Sequence, residues 1–512
     1  SISAGDYIAQ GRFYQNTQTC LGRDQPNLPQ GQTQSLDQQD IASPHQRVFL
    51  DCWQRMITDL DAPANHDPAL GNIDTTTNLR NIWQVKSIGA CNKSMLDEQW
   101  QQLNNPANIG AIRLRRRSNY LALNNGLLRV EIHHSGWTAT WPVSDTAQAR
   151  AVKAKLPNGQ RHALTVSTVD KADMLLQLDR PVMVYATDKD TAHAPTATKK
   201  HKHVITNVVG ITAEENEYRI ELSDAVPKPH KNQRLFILPL ASFKFSTKNG
   251  CLSYPVTNLI WLEGETGLSA DMPFPGYNGL EIKNGDWMEL RNLALDQTEQ
   301  PGPFFCVTDF MQDQLQLLLS PDQGFQKTSD KPVDAGQYPN LTLWSGISKS
   351  KAAPLISSGW IELTEGIELE FKTDGYYKSG QYWTSPLRDA SPTGLLWPDS
   401  EEGKPTFQPP QGPQHNYVAL ADIICHPDEI KWEDSRRLFR SLVNEPFADL
   451  DDQTARVLFE TAKLMEWLDL PKFDIKEKGL KQFAREVIRH MLDSIYGQQL
   501  RVIGTKPDAP EG

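Results

Sequence analysis

Two Asn-Gly dipeptides, Asn249-Gly250 and Asn284-Gly285, lie between alternating apolar runs and constrain the fold more than any other feature of the chain. Asn and Gly accept positive φ at both centres of a tight two-residue turn, so 243–256 and 280–290 are predicted as β-hairpins. The flanking runs carry Phe243, Phe245, Tyr254, Trp287 and Leu290, side chains that pack well on a pleated surface. Hairpin chemistry around aromatic residues describes a β-rich structural body. No stretch of the sequence spells out a reaction.

Composition agrees with that reading. At 512 residues the chain has room for roughly three domains of about 150 residues and for a sizeable core. Its 34 Pro, 32 Gly and 13 Trp suit many short strands joined by tight turns. A net charge of −11 argues against nucleic acid as the main partner, because a phosphate-tracking surface needs clustered Lys and Arg. The six cysteines are scattered with no Cys-x-x-Cys pair, so neither a disulfide framework nor a zinc spacing is read from them. No basic-then-apolar leader opens the chain, and no run of about eighteen apolar residues suggests a membrane span. The start at Ser1 points to processing or to a fragment.

The expected architecture is mainly β: a multi-sheet body with an inserted β-subdomain and a small C-terminal helical module. Residues 1–137 form the first part of the body, with strands at 7–14, 47–53, 81–86, 112–117 and 127–132. A helix is predicted over 94–103, capped by Ser94 with Asp97 in the capping-box position. Residues 138–242 form the insert, with strands near 163–169, 174–185, 204–209, 218–222 and 235–238. Residues 243–430 complete the body. Residues 431–503 switch to helical spacing, beginning at Trp432, with apolar stripes at Ala455, Leu458, Ala462, Met465 and Leu468 and at Leu480, Phe483, Val487, Met491 and Ile495. Residues 504–512 read as a flexible tail.

Three constellations could carry function. Asp286 and Glu289 are a candidate pair for glycoside hydrolysis, which uses two carboxyl groups about 5–10 Å apart; the competing reading is a turn at Gly285-Asp286 with Trp287 packed inward. His201 and His203 would share one face of a strand, the start of a metal site, but no third ligand follows at diagnostic spacing and Lys199, Lys200 and Lys202 would repel a cation. Tyr376, Tyr377, Tyr382, Trp383 and Trp397 gather in one loop-rich stretch and could stack on sugar rings, although aromatic side chains of this size are ordinarily core. The basic run 113–117 reads as an edge or exposed strand face. Phosphate loops and nucleophile elbows are absent, and no cofactor is expected.

Ordered marks along the chain resemble an uncharacterised bacterial domain family encoded beside genes for contractile, phage-tail-like injection particles. They are Tyr7–Arg12, Val48–Arg55, Ala69–Thr75, Ile82–Lys86, Leu128–His133, Phe243–Ser246 with Asn249-Gly250, Gly285–Leu290, Gly380–Trp383, His415–Tyr417 and Asp434–Phe439. The resemblance covers most of 7–443. The family's own N-terminal stretch and the insert 138–242 stand outside it. The resemblance implies a non-catalytic structural or attachment component of an extracellular particle assembled in the bacterial cytoplasm. It would be a homo-oligomer whose partners are other particle proteins and a cell-surface glycan. The alternatives are a carbohydrate-binding or carbohydrate-hydrolysing tail protein and a cargo of the particle.

Overall fold

A computed structural model describes residues 2–28, 44–58, 78–104, 109–117, 125–157, 160–167, 180–188, 203–213, 217–229, 233–250, 252–262, 267–272, 282–311, 316–321, 335–345, 353–388, 394–425 and 430–436, together with 60 and 69 and excepting 10 and 365. The chain divides into a unit of Ser1–Arg436 and a unit of Arg437–Gly512, so the expected helical stripes and tail lie outside the described residues. The first unit is mainly β: several antiparallel sheets and three short α-helices among the described residues.

Three sheets stack at its centre. The middle sheet runs in the order Ser242–Ser246, Gly126–His134, Tyr382–Leu387. Leu128, Val130 and Ile132 alternate with Arg129, Glu131 and His133 on its central strand, so one face is apolar and the other ionisable. The apolar face, with Phe243, Phe245 and Trp383, packs on Ile112, Leu114, Ile367, Leu369 and Phe371 of an outer sheet ordered Trp360–Thr364, Ile367–Phe371, Ile112–Arg116. Trp383 is fully buried and its indole N–H donates to the Gln408 carbonyl at 2.9 Å, which satisfies the one polar atom the ring carries. The ionisable face meets a seven-stranded sheet through Trp287, Glu289 and Arg291 of its strand Trp287–Arg291.

Two further bodies flank this stack. The long strands His45–Ile57 and Asn78–Ala90 pair along their whole length in a four-stranded sheet completed by Asn416–Cys425 and Ile430–Asp434. The hairpin Gly5–Ala9/Arg12–Asn16 lays Ala9 and Tyr14 on Leu50, Cys52, Trp83 and Val85 of that sheet. Six antiparallel strands between Val152 and Pro239 close into a barrel around Val166, Val182, Val184, Ile220 and Ile237, and closure leaves no free sheet edge.

Local expectations hold where tertiary partners do not compete. Asn249 and Gly250 have φ of 59° and 63°, the doubly left-handed turn that their types predict. The two strands they join do not pair: Ser242–Ser246 bonds to Gly126–His134, and Ser253–Pro255 bonds to Asn340–Trp344 of the seven-stranded sheet. At 284–285 the chain again turns, Asp286 N–H donating to the Lys283 carbonyl, but Trp287–Arg291 takes its partners from Phe304–Met311 and Asn340–Trp344. Asn249-Gly250 therefore turns between sheets and closes no hairpin, because its flanking strands find their partners far along the chain; most of the arm expected before Asn284-Gly285 lies outside the described residues. The helix Lys93–Asn104 is present, but Asn92 caps it by accepting from Met95 N–H at 2.9 Å, which frees Asp97 to bind Arg47 at 3.1 Å. Trp432, expected to open a helix, sits in the edge strand Ile430–Asp434.

Trp383→Ala should cost about 3–5 kcal/mol, the usual price of emptying an aromatic site in a packed core, and should appear as a lower urea midpoint with unchanged m-value.

Candidate functional site

Seven ionised side chains alternate in sign from the four-stranded sheet to the middle sheet. Arg55 Nη2 donates to Asp296 Oδ2 at 2.6 Å, and Arg291 Nε donates to Asp296 Oδ1 at 2.9 Å. Arg291 also reaches Glu289 Oε1 at 3.3 Å, and Lys244 Nζ meets Glu289 Oε2 at 2.5 Å. Lys244 lies 3.1 Å from Glu131 Oε1, and Arg129 closes the series 2.6 Å from Glu131 Oε2. Asp296 is positioned by the helix Leu293–Thr298, whose N-cap Asn292 accepts from Leu295 N–H. The centre is dry: Glu289 is 0% and Lys244 2% exposed, with Lys244 Nζ 4.5 Å from the Trp344 ring centroid.

The electrostatics follow from that packing. Burial by itself pushes the Glu289 carboxyl up, but Lys244, Arg291 and the Gly302 amide together hold it below the usual carboxylate range. Glu131 behaves alike, with burial opposed by Lys244 and Arg129. Burial, reinforced by Lys244 and Arg291, drives His133 well below the ordinary histidine value, so it stands neutral 3.6 Å from Glu289 Oε1. Glu289 and Glu131 therefore rest as carboxylates at neutral pH, whereas a general acid must be held protonated. The arrangement ties the middle sheet to the seven-stranded sheet through Lys244 and Glu289.

A second cluster joins the four-stranded sheet to the end of the same helix. His415 contacts Asp51 Oδ1 through Nδ1 at 2.7 Å and Glu299 Oε1 through Nε2 at 3.0 Å. Lys86 Nζ reaches the other Asp51 oxygen at 2.6 Å, and Trp53 stacks on the imidazole with centroids 4.9 Å apart. Burial lowers the His415 pKa, yet Glu299 and Asp51 overcome it and lift the imidazole to about 9. Asp51, pushed up by burial, is brought below its ordinary value by His415 and Lys86. Both ring nitrogens are occupied, so the imidazolium acts as a cationic strut and has no lone pair for base catalysis.

The residues singled out in the sequence fall as follows. Asp286 is half-buried, its Oδ2 accepting from Lys283 N–H at 2.7 Å in a turn, while Glu289 is enclosed in the charge series. Tyr377 and Trp383 are fully buried and offer no ring face to a sugar. Tyr376 is half-buried against Trp137, Tyr382 lies under the Arg129 guanidinium at 3.9 Å, and Trp397 is partly buried with its N–H bound to the Thr406 carbonyl. His203 is exposed and stacks on Trp141 at 4.4 Å; His201 lies outside the described residues. Among the described residues no group of three or more His, Cys, Asp or Glu is placed to hold a metal ion, and no helix is long and apolar enough to cross a membrane. Arg113, Arg115 and Arg117 line the outer sheet opposite Glu370, Glu368 and Glu362. Sequence reading missed Lys244, Arg291, Asp51 and His415; the legible signal was a charged residue inside each of several aromatic, strand-forming segments.

Stacked sheets, a closed barrel and a buried series of paired charges define a multi-sheet β protein. Residues 1–113 and 211–423 match the model of a family of unknown function (DUF6519), and the chain belongs to that family. The match leaves out 114–210 and resumes at 211, inside the barrel strand His203–Ala213. No curated protein and no solved structure matches the chain.

Arg291→Met leaves Glu289 and Asp296 each short of a cation and should cost about 3–5 kcal/mol in denaturant unfolding. The His415 strut makes stability fall with rising pH. Its pKa is raised on folding from 6.5 to about 9, so its contribution is complete below pH 6.5 and is lost as pH climbs through about 9. The loss is on the order of 3 kcal/mol, and His415→Gln should flatten that part of the pH–stability curve.

Proposed function

We propose that this chain is a non-catalytic structural or attachment component of an extracellular, contractile phage-tail-like particle, assembled in the bacterial cytoplasm beside its partner proteins. The observation that carries the non-catalytic part is the engagement of Glu289: this fully buried carboxylate accepts from Lys244 on one oxygen and from Arg291 and the Gly302 amide on the other. A hydrolase would keep one carboxyl group unengaged and facing substrate. The particle setting follows from the resemblance of the motif series, and three of those motifs supply the second cluster: Asp51 and Trp53, Lys86, and His415 with Tyr417.

The carbohydrate reading is the weaker one, since Tyr377 and Trp383 belong to the core and Asp286 and Glu289 serve a turn and an ion network. Co-expressed with sheath and tube proteins of such a particle, the chain should co-purify with them as a symmetric oligomer and release no sugar from a glycan panel. A chain that stays monomeric and apart from those proteins, or that cleaves a glycan, would sink the proposal.

A further inference from the structure

We infer that Lys244 and Glu289 are poised to join covalently, through an amide between Lys244 Nζ and Glu289 Cδ that ties the middle sheet to the seven-stranded sheet. The inference rests on the geometry of the buried cluster and is independent of the particle reading. Four observations carry it. The amine is in contact with Oε2 at 2.5 Å. A nitrogen so placed is about 3–3.5 Å from the carboxyl carbon, the near-attack range for intramolecular reactions. The other oxygen, Oε1, receives the Gly302 N–H at 3.0 Å and Arg291 Nη1 at 3.3 Å, two donors placed where an oxyanion would develop. A second carboxylate, Glu131, lies 3.1 Å from the same Nζ and can carry a proton. Finally, Lys244 and Glu289 are closed off from water among Trp287, Phe304 and Trp344, which favours condensation over hydrolysis.

The steps balance without any outside reagent. A proton moves from the Lys244 ammonium to Glu289 Oε2, giving amine and acid. The Nζ lone pair attacks Cδ, and Oε1 takes the negative charge under Arg291 and the Gly302 amide. Glu131 removes one proton from Nζ and delivers it to the Oε2 hydroxyl, the Cδ–Oε2 bond breaks, and water leaves as Oε1 returns to a carbonyl. Glu131 ends as the carboxylate it began as. One cation and one anion vanish together, so the net charge of the buried series is unchanged. Arg291 and Lys244 favour the carboxylate over the acid, which makes the first step uphill and the reaction slow after folding.

Intact mass spectrometry of the full chain, unfolded after prolonged incubation in its native state, tests the inference. The expected species is lighter than the sequence by one water. Asp374-Gly375 could also lose water by cyclising, so a tryptic digest must locate the loss. The expected product is a branched peptide joining 235–248 to 284–291, with no cleavage after Lys244. Lys244→Arg keeps the positive charge and should restore full mass, and Glu131→Gln should lower the cross-linked fraction at a fixed time at least tenfold. Wild-type protein at full mass, with free 235–244 and 284–291 peptides after incubation, overturns the inference whatever the variants do.

Discussion

The contact between Lys244 and Glu289 governs the architecture, because it lies where two sheets would otherwise face each other with ionisable side chains and no water. A lone buried carboxylate or ammonium costs several kcal/mol, so neither sheet could be covered on this face unless the other brought the opposite charge. The surrounding ions extend the same logic. Arg291 balances Glu289 and Asp296, Arg55 anchors Asp296 from the four-stranded sheet, and Glu131 with Arg129 completes the middle strand.

A buried ion pair adds little net stability compared with well-packed apolar residues, and its value here is directional. Slipping the middle sheet by one residue would turn Arg129 and Glu131 toward Leu114 and Leu369 and expose Val130 to Glu289. The apolar sandwich on one side and the charge series on the other thus reject the same errors. The His415 strut adds an analogous constraint further out: an imidazolium held by Asp51 and Glu299 fixes the end of the short helix against the four-stranded sheet. Rigid attachment of sheets is the property these two clusters supply.

Much of the strand pattern was legible in the sequence. Alternation and β-propensity located the strands at 47–53, 81–86, 112–117 and 127–132 within a few residues, since these signals are local. The functional cluster was not legible. Leu128-Arg129-Val130-Glu131-Ile132-His133 has the alternation of a strand with one wet face, and nothing within six residues tells that Trp344 and Glu289 will cover that face. Lys244 was likewise hidden between two phenylalanines.

The sequence by itself determined the β character of the first unit, the left-handed turn at Asn249-Gly250, the helix before residue 104 and the run of aromatic residues that fill the core. Those features depend on φ preference, side-chain alternation and capping, which act over a few residues. Only the tertiary structure decided which strands pair across the Asn-Gly turns, that Trp383 and Tyr377 are core and unavailable to a ligand, and that seven charges lie in series. Each of these is a choice of partner far along the chain, fixed by the need to bury two faces of a strand and to neutralise every charge taken from water.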